Sequence, residues 1–240
     1  MFSRKNKLVF ILIIIGVGLF VHLNVVVHQD ATVDNATAVT RELVGNDSTG
    51  SVEVIKNIGN TSGEKIAYVV GVHPLENDTH RTLLNLLPKT ENLSYCYDIY
   101  VINVSEDFSA YGQLSPDDQP GRQAGQELAY NYVYPQVVNG SYKLCVDVHA
   151  HGGVYAYDTF VFCALDGMPG ESYGRNVSSM TKNVSYYNPY FTTSETYLTD
   201  PLNQNGVPAF YYEENSYIDQ KIKDLHMAEL IHAVDNLKFK

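Results

Sequence analysis

From Lys65 onward, short unbroken apolar runs take turns with stretches in which apolar residues recur every three or four positions. The runs are "KIAYVVGV" (65 to 72), "YDIYVINV" (97 to 104), "YKLCVDV" (142 to 148), "TFVFCAL" (159 to 165) and "PAFYYE" (208 to 213). Their β-branched and aromatic content predicts strands. Because they are continuous rather than alternating, most of them read as buried on both faces. Between them, "THRTLLNLL" (79 to 87) stops at Pro88, and "GRQAGQELAYNYVYPQVV" (121 to 138) follows a turn. Residues 216 to 237 carry Ile218, Ile222, Leu225, Leu230 and Val234 at helical spacing. Strands alternating with helices predict an α/β domain over residues 64 to 240, with a largely parallel or mixed sheet flanked by helices.

The N-terminus has a different pattern. Residues 8 to 27, "LVFILIIIGVGLFVHLNVVV", are broken only by His22 and Asn24 and follow Arg4, Lys5 and Lys7. A helix needs about 20 apolar residues to cross a bilayer core, whereas a cleavable signal has an apolar core of roughly 7 to 15. Residues 1 to 28 therefore read as an N-terminal transmembrane helix, an uncleaved anchor with its basic flank in the cytoplasm. The partner is the membrane, and the expected location is the cell membrane, single-pass, with the C-terminal domain outside. Residues 29 to 63 are rich in Thr, Asn, Asp, Gly and Ser without apolar periodicity, the composition of a flexible tether.

Charge narrows the partners. Of 16 basic residues three precede the anchor, leaving 13 against 27 acidic ones outside, so nucleic acid is excluded as a natural partner. Nine Asn-X-Ser/Thr sequons start at Asn35, Asn46, Asn60, Asn77, Asn92, Asn103, Asn139, Asn176 and Asn183, all on the proposed outer side, and favour an exported glycoprotein. Cys96, Cys145 and Cys163 are odd in number and lie in apolar segments, which reads as buried thiols rather than a disulfide framework.

In an α/β sheet, ligands bind beyond the carboxyl ends of the strands. The first run ends in His73 and Glu76, the third in "DVHAHGG" with Asp147, His149 and His151, and the last in Glu213 and Glu214. The His-X-X-Glu spacing alone is weak, because His226 and Glu229 repeat it on the last helix, where with His232 and Asp235 they read as a solvated face. Three strand ends converging with two imidazoles, a ligand carboxylate and a further carboxylate make a catalytic zinc site with a general base.

"HPLE", then "VDVHAH", then "PAFYYE" before a final helix resemble, in this order, the motif blocks of zinc carboxypeptidases and their relatives, the succinylglutamate desuccinylases and aspartoacylases. The resemblance covers roughly Lys65 to Leu237. It implies Zn(2+) held by His73, Glu76 and His149, with Glu213 as the base and Glu214 as its rival should the strand end one residue later. Asp147 then supports the site or the fold. The family's Asn-Pro-Asp-Gly type segment, with its carboxylate-gripping arginine, is absent. Arg122 in "DDQPGRQAGQELA" stands in as a group that polarises the carbonyl or holds an anion, and Arg175 is the remaining candidate for a carboxylate anchor. His151 and Tyr197 are the substrate-contacting candidates, Tyr197 from a Tyr-rich stretch (185 to 200) read as a loop over the pocket.

The reading that follows is a membrane-anchored extracytoplasmic zinc hydrolase of amide bonds, peptidase-like, acting on cell-wall or extracellular peptides. Two alternatives stand beside it: a non-catalytic surface binding or structural module on the same fold, and an N-acyl amino acid hydrolase taking an acyl-amide substrate.

Overall fold

The computed structural model describes residues 38 to 105, 120 to 189 and 194 to 239. The anchor expected over residues 1 to 28 lies outside them. Among the described residues no helix is long and apolar enough to cross a membrane.

One sheet holds β1 (Thr40–Asp47), β2 (Gly50–Gly59), β3 (Lys65–Val70), β4 (Cys96–Val104), β5 (Tyr142–His151), β6 (Thr159–Phe162), β7 (Ser185–Tyr186) and β8 (Ala209–Asn215). Their order across the sheet is β1-β2-β4-β3-β5-β8-β6-β7. The central strands β4, β3, β5 and β8 run parallel. β2 joins β4 and β6 joins β8 antiparallel, so the sheet is mixed with a parallel centre.

Helices cover both faces: α1 (Asn77–Leu86), α2 (Pro120–Leu128), α3 (Tyr134–Asn139), α4 (Pro169–Met180), α5 (Thr199–Gln204) and α6 (Gln220–Asp235). Under α1, α4 and α6 lie Tyr68, Val70, Val146, Val148, Phe210 and Tyr212, packed on Leu83, Val177, Met227 and Leu230. Under α2, α3 and α5 lie Ala67, Val69, Ile102 and Cys145, packed on Leu128, Val137 and Leu202. Burial from both sides is the physical reason the central strands are apolar at successive positions. Between α2 and α3 the backbone widens into a π-helical turn, Ala129–Val133, just ahead of Pro135, which has no N–H to give the helix ladder.

Several expectations need correction. The tether assigned to residues 29 to 63 ends much earlier, because β1 and β2 form a hairpin on the edge of β4. Val52 and Val54 are buried on one face. A bulge between Ile55 and Ile58, with Asn57 at φ 67°, then transfers Ile58 to the opposite core. β2 buries little more than alternate residues, and the bulge breaks even that alternation, so a polar composition hides it. The last helix is shorter than residues 216 to 237, being capped by Asp219, whose carboxylate accepts from the Lys221 N–H.

The expected solvated face on α6 is largely bonded. The Asp235 carboxylate accepts from the Ser94 N–H and the Tyr97 hydroxyl, and Glu229 accepts from the Lys182 and Asn183 N–H groups. His226 is buried against Glu214 and Thr159. The stretch over residues 185 to 200 includes β7, a 3₁₀ turn at Glu195–Tyr197 and the start of α5; residues 190 to 193 are outside the described set. The three cysteines are free and buried, as expected.

Candidate metal centre

The chain leaves β3 through Gly71, whose φ of 89° and close approach to the Ile102 carbonyl, 2.1 Å from where a Cβ would sit, admit no larger residue. Two residues later His73 is 4% exposed, and Glu76 immediately precedes α1. Both turn toward β5, the neighbour of β3. His73 Nδ1 lies 2.8 Å from Glu76 Oε1 and 3.0 Å from His149 Nδ1. Glu76 Oε2 lies 3.0 Å from His149 Nδ1 and accepts from the Ala150 N–H at 3.0 Å.

The ligand atoms of His73, Glu76 and His149 all lie within 4.8 Å of one another. Tetrahedral ligands at zinc distances of about 2.0 to 2.1 Å stand about 3.3 Å apart. The contacts of 2.8 and 3.0 Å among these atoms come within a few tenths of an ångström of that. Two imidazoles, each through its Nδ1, and one carboxylate, through oxygen, therefore converge in a way that fits a divalent metal.

The surroundings sort into partners of each ligand. Asp147, two residues before His149 on the same face of β5, is 1% exposed, and its Oδ1 lies 3.1 Å from His149 Nε2. The two groups face each other as an ion-pair contact, and neither Asp147 oxygen has a further polar partner. Asp147 thus stands behind His149, at the ring nitrogen opposite the one that meets Glu76. Arg122, from the first turn of α2, brings Nη1 to 3.1 Å from His73 Nδ1 and 3.6 Å from Glu76 Oε1. Gly125 lets that helix sit on the end of β3: a Cβ there would fall 1.9 Å from the Val72 carbonyl oxygen.

Glu213 stands opposite His149 in the parallel β5–β8 ladder and so shares its face, whereas Glu214 faces the other core. There Glu214 accepts from Thr159 Oγ1 at 2.7 Å and from the Tyr212 hydroxyl. The Glu213 carboxyl is 9% exposed, and its Oε2 has no protein partner.

Electrostatics follow from this crowding. Burial pushes Glu213 up to about 8, His149 counteracts it, and Glu76 adds to it. Burial also pushes Glu76 up, but His73 and His149 outweigh it and hold that carboxyl well below its ordinary range. His73 is lowered chiefly by burial. His149 is raised because Asp147 and Glu76 overcome its burial.

The remaining candidates are placed differently. His151 lies outside the cluster: its Nε2 is 3.1 Å from the Asp158 carbonyl oxygen and its Nδ1 accepts from the Gly153 N–H, so it organises the loop after β5. The Tyr197 hydroxyl meets Gln123 Nε2 at 2.9 Å, one residue from Arg122. Arg175 pairs with Glu171 on α4 and covers the Tyr186 ring at 4.1 Å, which occupies it in a contact separate from the cluster.

Two residues near the centre escaped the sequence reading. Gln126 is 4% exposed, with Nε2 3.3 Å from His73 Nε2. Tyr155 packs on His151, with its phenol raised by burial and then by the charge on Glu213. Only the helical offset of four between Arg122 and Gln126 could have pointed to the first, and no motif points to the second.

Fold and centre together are a mixed α/β sheet with a His/Glu/His cluster at the carboxyl end of its parallel strands. No protein-family model matches the chain, and no curated protein matches it in sequence. Among solved structures, tripeptide-bound cell shape determinant Csd4 of Helicobacter pylori is similar, with TM-score 0.55, 14% identity and coverage of 79% of this chain and 56% of Csd4. The mDAP-bound form of Csd4, a D,L-carboxypeptidase, gives TM-score 0.52 at 13% identity, covering 78% and 55%. A protein of Shewanella denitrificans OS217, provisionally described as a metallopeptidase, gives 0.52 at 10% identity, covering 82% of each chain. Identities this low establish a shared fold. The chain spans a little over half the length of Csd4.

Proposed function

We propose that the chain is a zinc-dependent amide-bond hydrolase of peptidase type, acting outside the cell on cell-wall or other short peptides. The observation that carries the reading is the convergence of His73, Glu76 and His149, with Glu213 across the ladder, at one end of a carboxypeptidase-type sheet. The tripeptide and mDAP bound by Csd4 support a short peptide as substrate.

In this reading His73, Glu76 and His149 hold the ion. Bound there, zinc supplies Lewis acidity and brings the pKa of water to about 7. With the charge of a cation beside it offsetting the burial that raises it, Glu213 as a carboxylate takes the proton of the attacking water and passes it to the leaving nitrogen. Arg122 donates through its guanidinium to the carbonyl oxygen as negative charge develops there.

The location is part of the same proposal. Residues 1 to 28 anchor the chain, and the sequons lie outside. Eight sequon asparagines are among the described residues; seven are exposed and Asn183 is half-buried, which supports glycan attachment.

Four forms of the full chain test the reading: wild type, His149→Ala, His151→Ala and Glu213→Gln. Wild type should carry one zinc per chain and hydrolyse members of a short-peptide library. His149→Ala should lose the metal and His151→Ala should keep it. Glu213→Gln should keep zinc yet lose about 10² to 10⁴ in rate. Equal zinc loss in folded His149→Ala and His151→Ala would overturn the ligand set. Stoichiometric zinc without turnover on any peptide would leave a binding module.

A further inference from the structure

His73 and His149 both turn Nδ1 toward the centre of the cluster, and their outer nitrogens meet different partners. An imidazole that gives Nδ1 to a cation keeps its remaining proton on Nε2 and needs an acceptor there. His149 Nε2 has Asp147 Oδ1 at 3.1 Å. His73 Nε2 has the buried side-chain amide of Gln126 at 3.3 Å.

We propose that Gln126 is the positioning residue of His73, fixing the ring and serving whichever tautomer the site requires. A carboxylate only accepts. An amide presents a donor on one side and an acceptor on the other, and a half-turn about its last bond exchanges them at nearly the same place. The NH₂ group donates to a bare Nε2, and Oε1 accepts from Nε2–H once Nδ1 is taken. Gln126 thus keeps a hydrogen bond to His73 before and after loading, at a buried place where neither group has water to turn to.

The backbone supports this assignment. Arg122 and Gln126 are four residues apart on α2, hence on one face of the helix. Arg122 Nη1 lies 3.1 Å from His73 Nδ1 and Gln126 Nε2 lies 3.3 Å from its Nε2, so one helix face stands along the whole edge of that imidazole, with Gln126 at the nitrogen that stays free when Nδ1 is given to the ion. Gly125 brings that face against Val72, two residues past the end of β3 and one before His73. The sequence signature is Arg-Gln-Ala-Gly-Gln, whose first and last residues meet the ring.

The proposal rests on His73 being a ligand, as argued above, and its test separates the two ideas. Zinc and cobalt(II) affinities of the full chain are measured by competition with a chromophoric chelator, for wild type, Gln126→Leu and Gln126→Glu. Imidazole ¹⁵N shifts of His73 are recorded in the metal-free forms. Gln126→Leu should bind either metal about 10- to 100-fold more weakly, with an unchanged circular dichroism spectrum. Gln126→Glu should bind at least as tightly as wild type, and metal-free it should hold His73 as the Nε2–H tautomer, which Gln126→Leu should not. Equal affinities in all three forms, or equal losses in Leu and Glu, would overturn the role. If no form binds metal, the centre itself is refuted, and His73 shifts identical in the three proteins would refute the positioning role separately.

Discussion

Glu213 and Glu214 are adjacent, identical in chemistry and opposite in circumstance. One stands across from His149 with an unpartnered oxygen; the other is satisfied by Thr159, Tyr212 and His226 on the far face of the sheet. A one-residue step in a strand exchanges a reactive carboxylate for a structural one. Asp200 is a third acid in an unfavourable place. It begins α5 at 9% exposure, its Oδ1 has no partner, and burial, then the charge of Glu195, raises it to about 6. The sign follows from linkage: the folded state holds this proton more tightly than an unfolded Asp with a pKa near 3.9. Above pH 6 the buried charge destabilises the fold in full, and as pH falls through 6 toward 4 the cost is relieved. Asp200→Asn should therefore raise Tm at pH 7.5 by about 2 to 4 °C, on the order of 1 kcal/mol after allowing for solvent screening. The gain should vanish near pH 4 in thermal melts; a gain independent of pH would show that the charge is not its source.

At the scale of elements, the centre depends on how closely α2 approaches β3. Gly125 has no room for a methyl group against the Val72 carbonyl, whereas Gly152, in the loop after β5, has nothing within 4 Å. Gly125→Ala should push α2 outward and carry Arg122 and Gln126 away from His73. The expected result is a loss of about 1 to 3 kcal/mol in stability, together with weaker metal binding. Gly152→Ala is the matched control and should change neither. Urea unfolding and metal titration of both variants check this, and equal behaviour would mean that the helix has slack the geometry does not show.

For the whole molecule, the question is where the folded domain begins. With the β1–β2 hairpin in the sheet, a chain of residues 29 to 240 should melt like the full protein and, on the anchor proposed for residues 1 to 28, stay in the supernatant while the full chain pellets with membranes. A chain of residues 64 to 240 should not be stable. It loses the burial of Val52, Val54 and Ile58, each worth about 1.5 to 3 kcal/mol, and uncovers the edge of β4. That is on the order of 5 kcal/mol, a large part of a typical folding free energy. If residues 64 to 240 melt at the same temperature as the longer chain, the hairpin is an ornament rather than part of the domain.

The central strands and the helices over residues 79 to 87 and 121 to 138 were legible because two-sided burial writes itself as an apolar run and one-sided burial as a helical period. The same logic placed His73, Glu76, His149 and Glu213 at strand ends, and the structure brings them to one end of the sheet. Arg122 was legible as a residue and not as a contact. The hairpin, α4 and α5 were not legible: alternation over a few residues interrupted by a bulge, or a short helix rich in polar residues, carries too little periodicity. The bonded face of α6 and the grip of Gln126 on His73 were decided by tertiary structure alone. Whether a carboxylate or an amide meets water or a partner depends on which element packs opposite, and that neighbour is 141 residues away for Asp235 and Ser94, and 53 for Gln126 and His73.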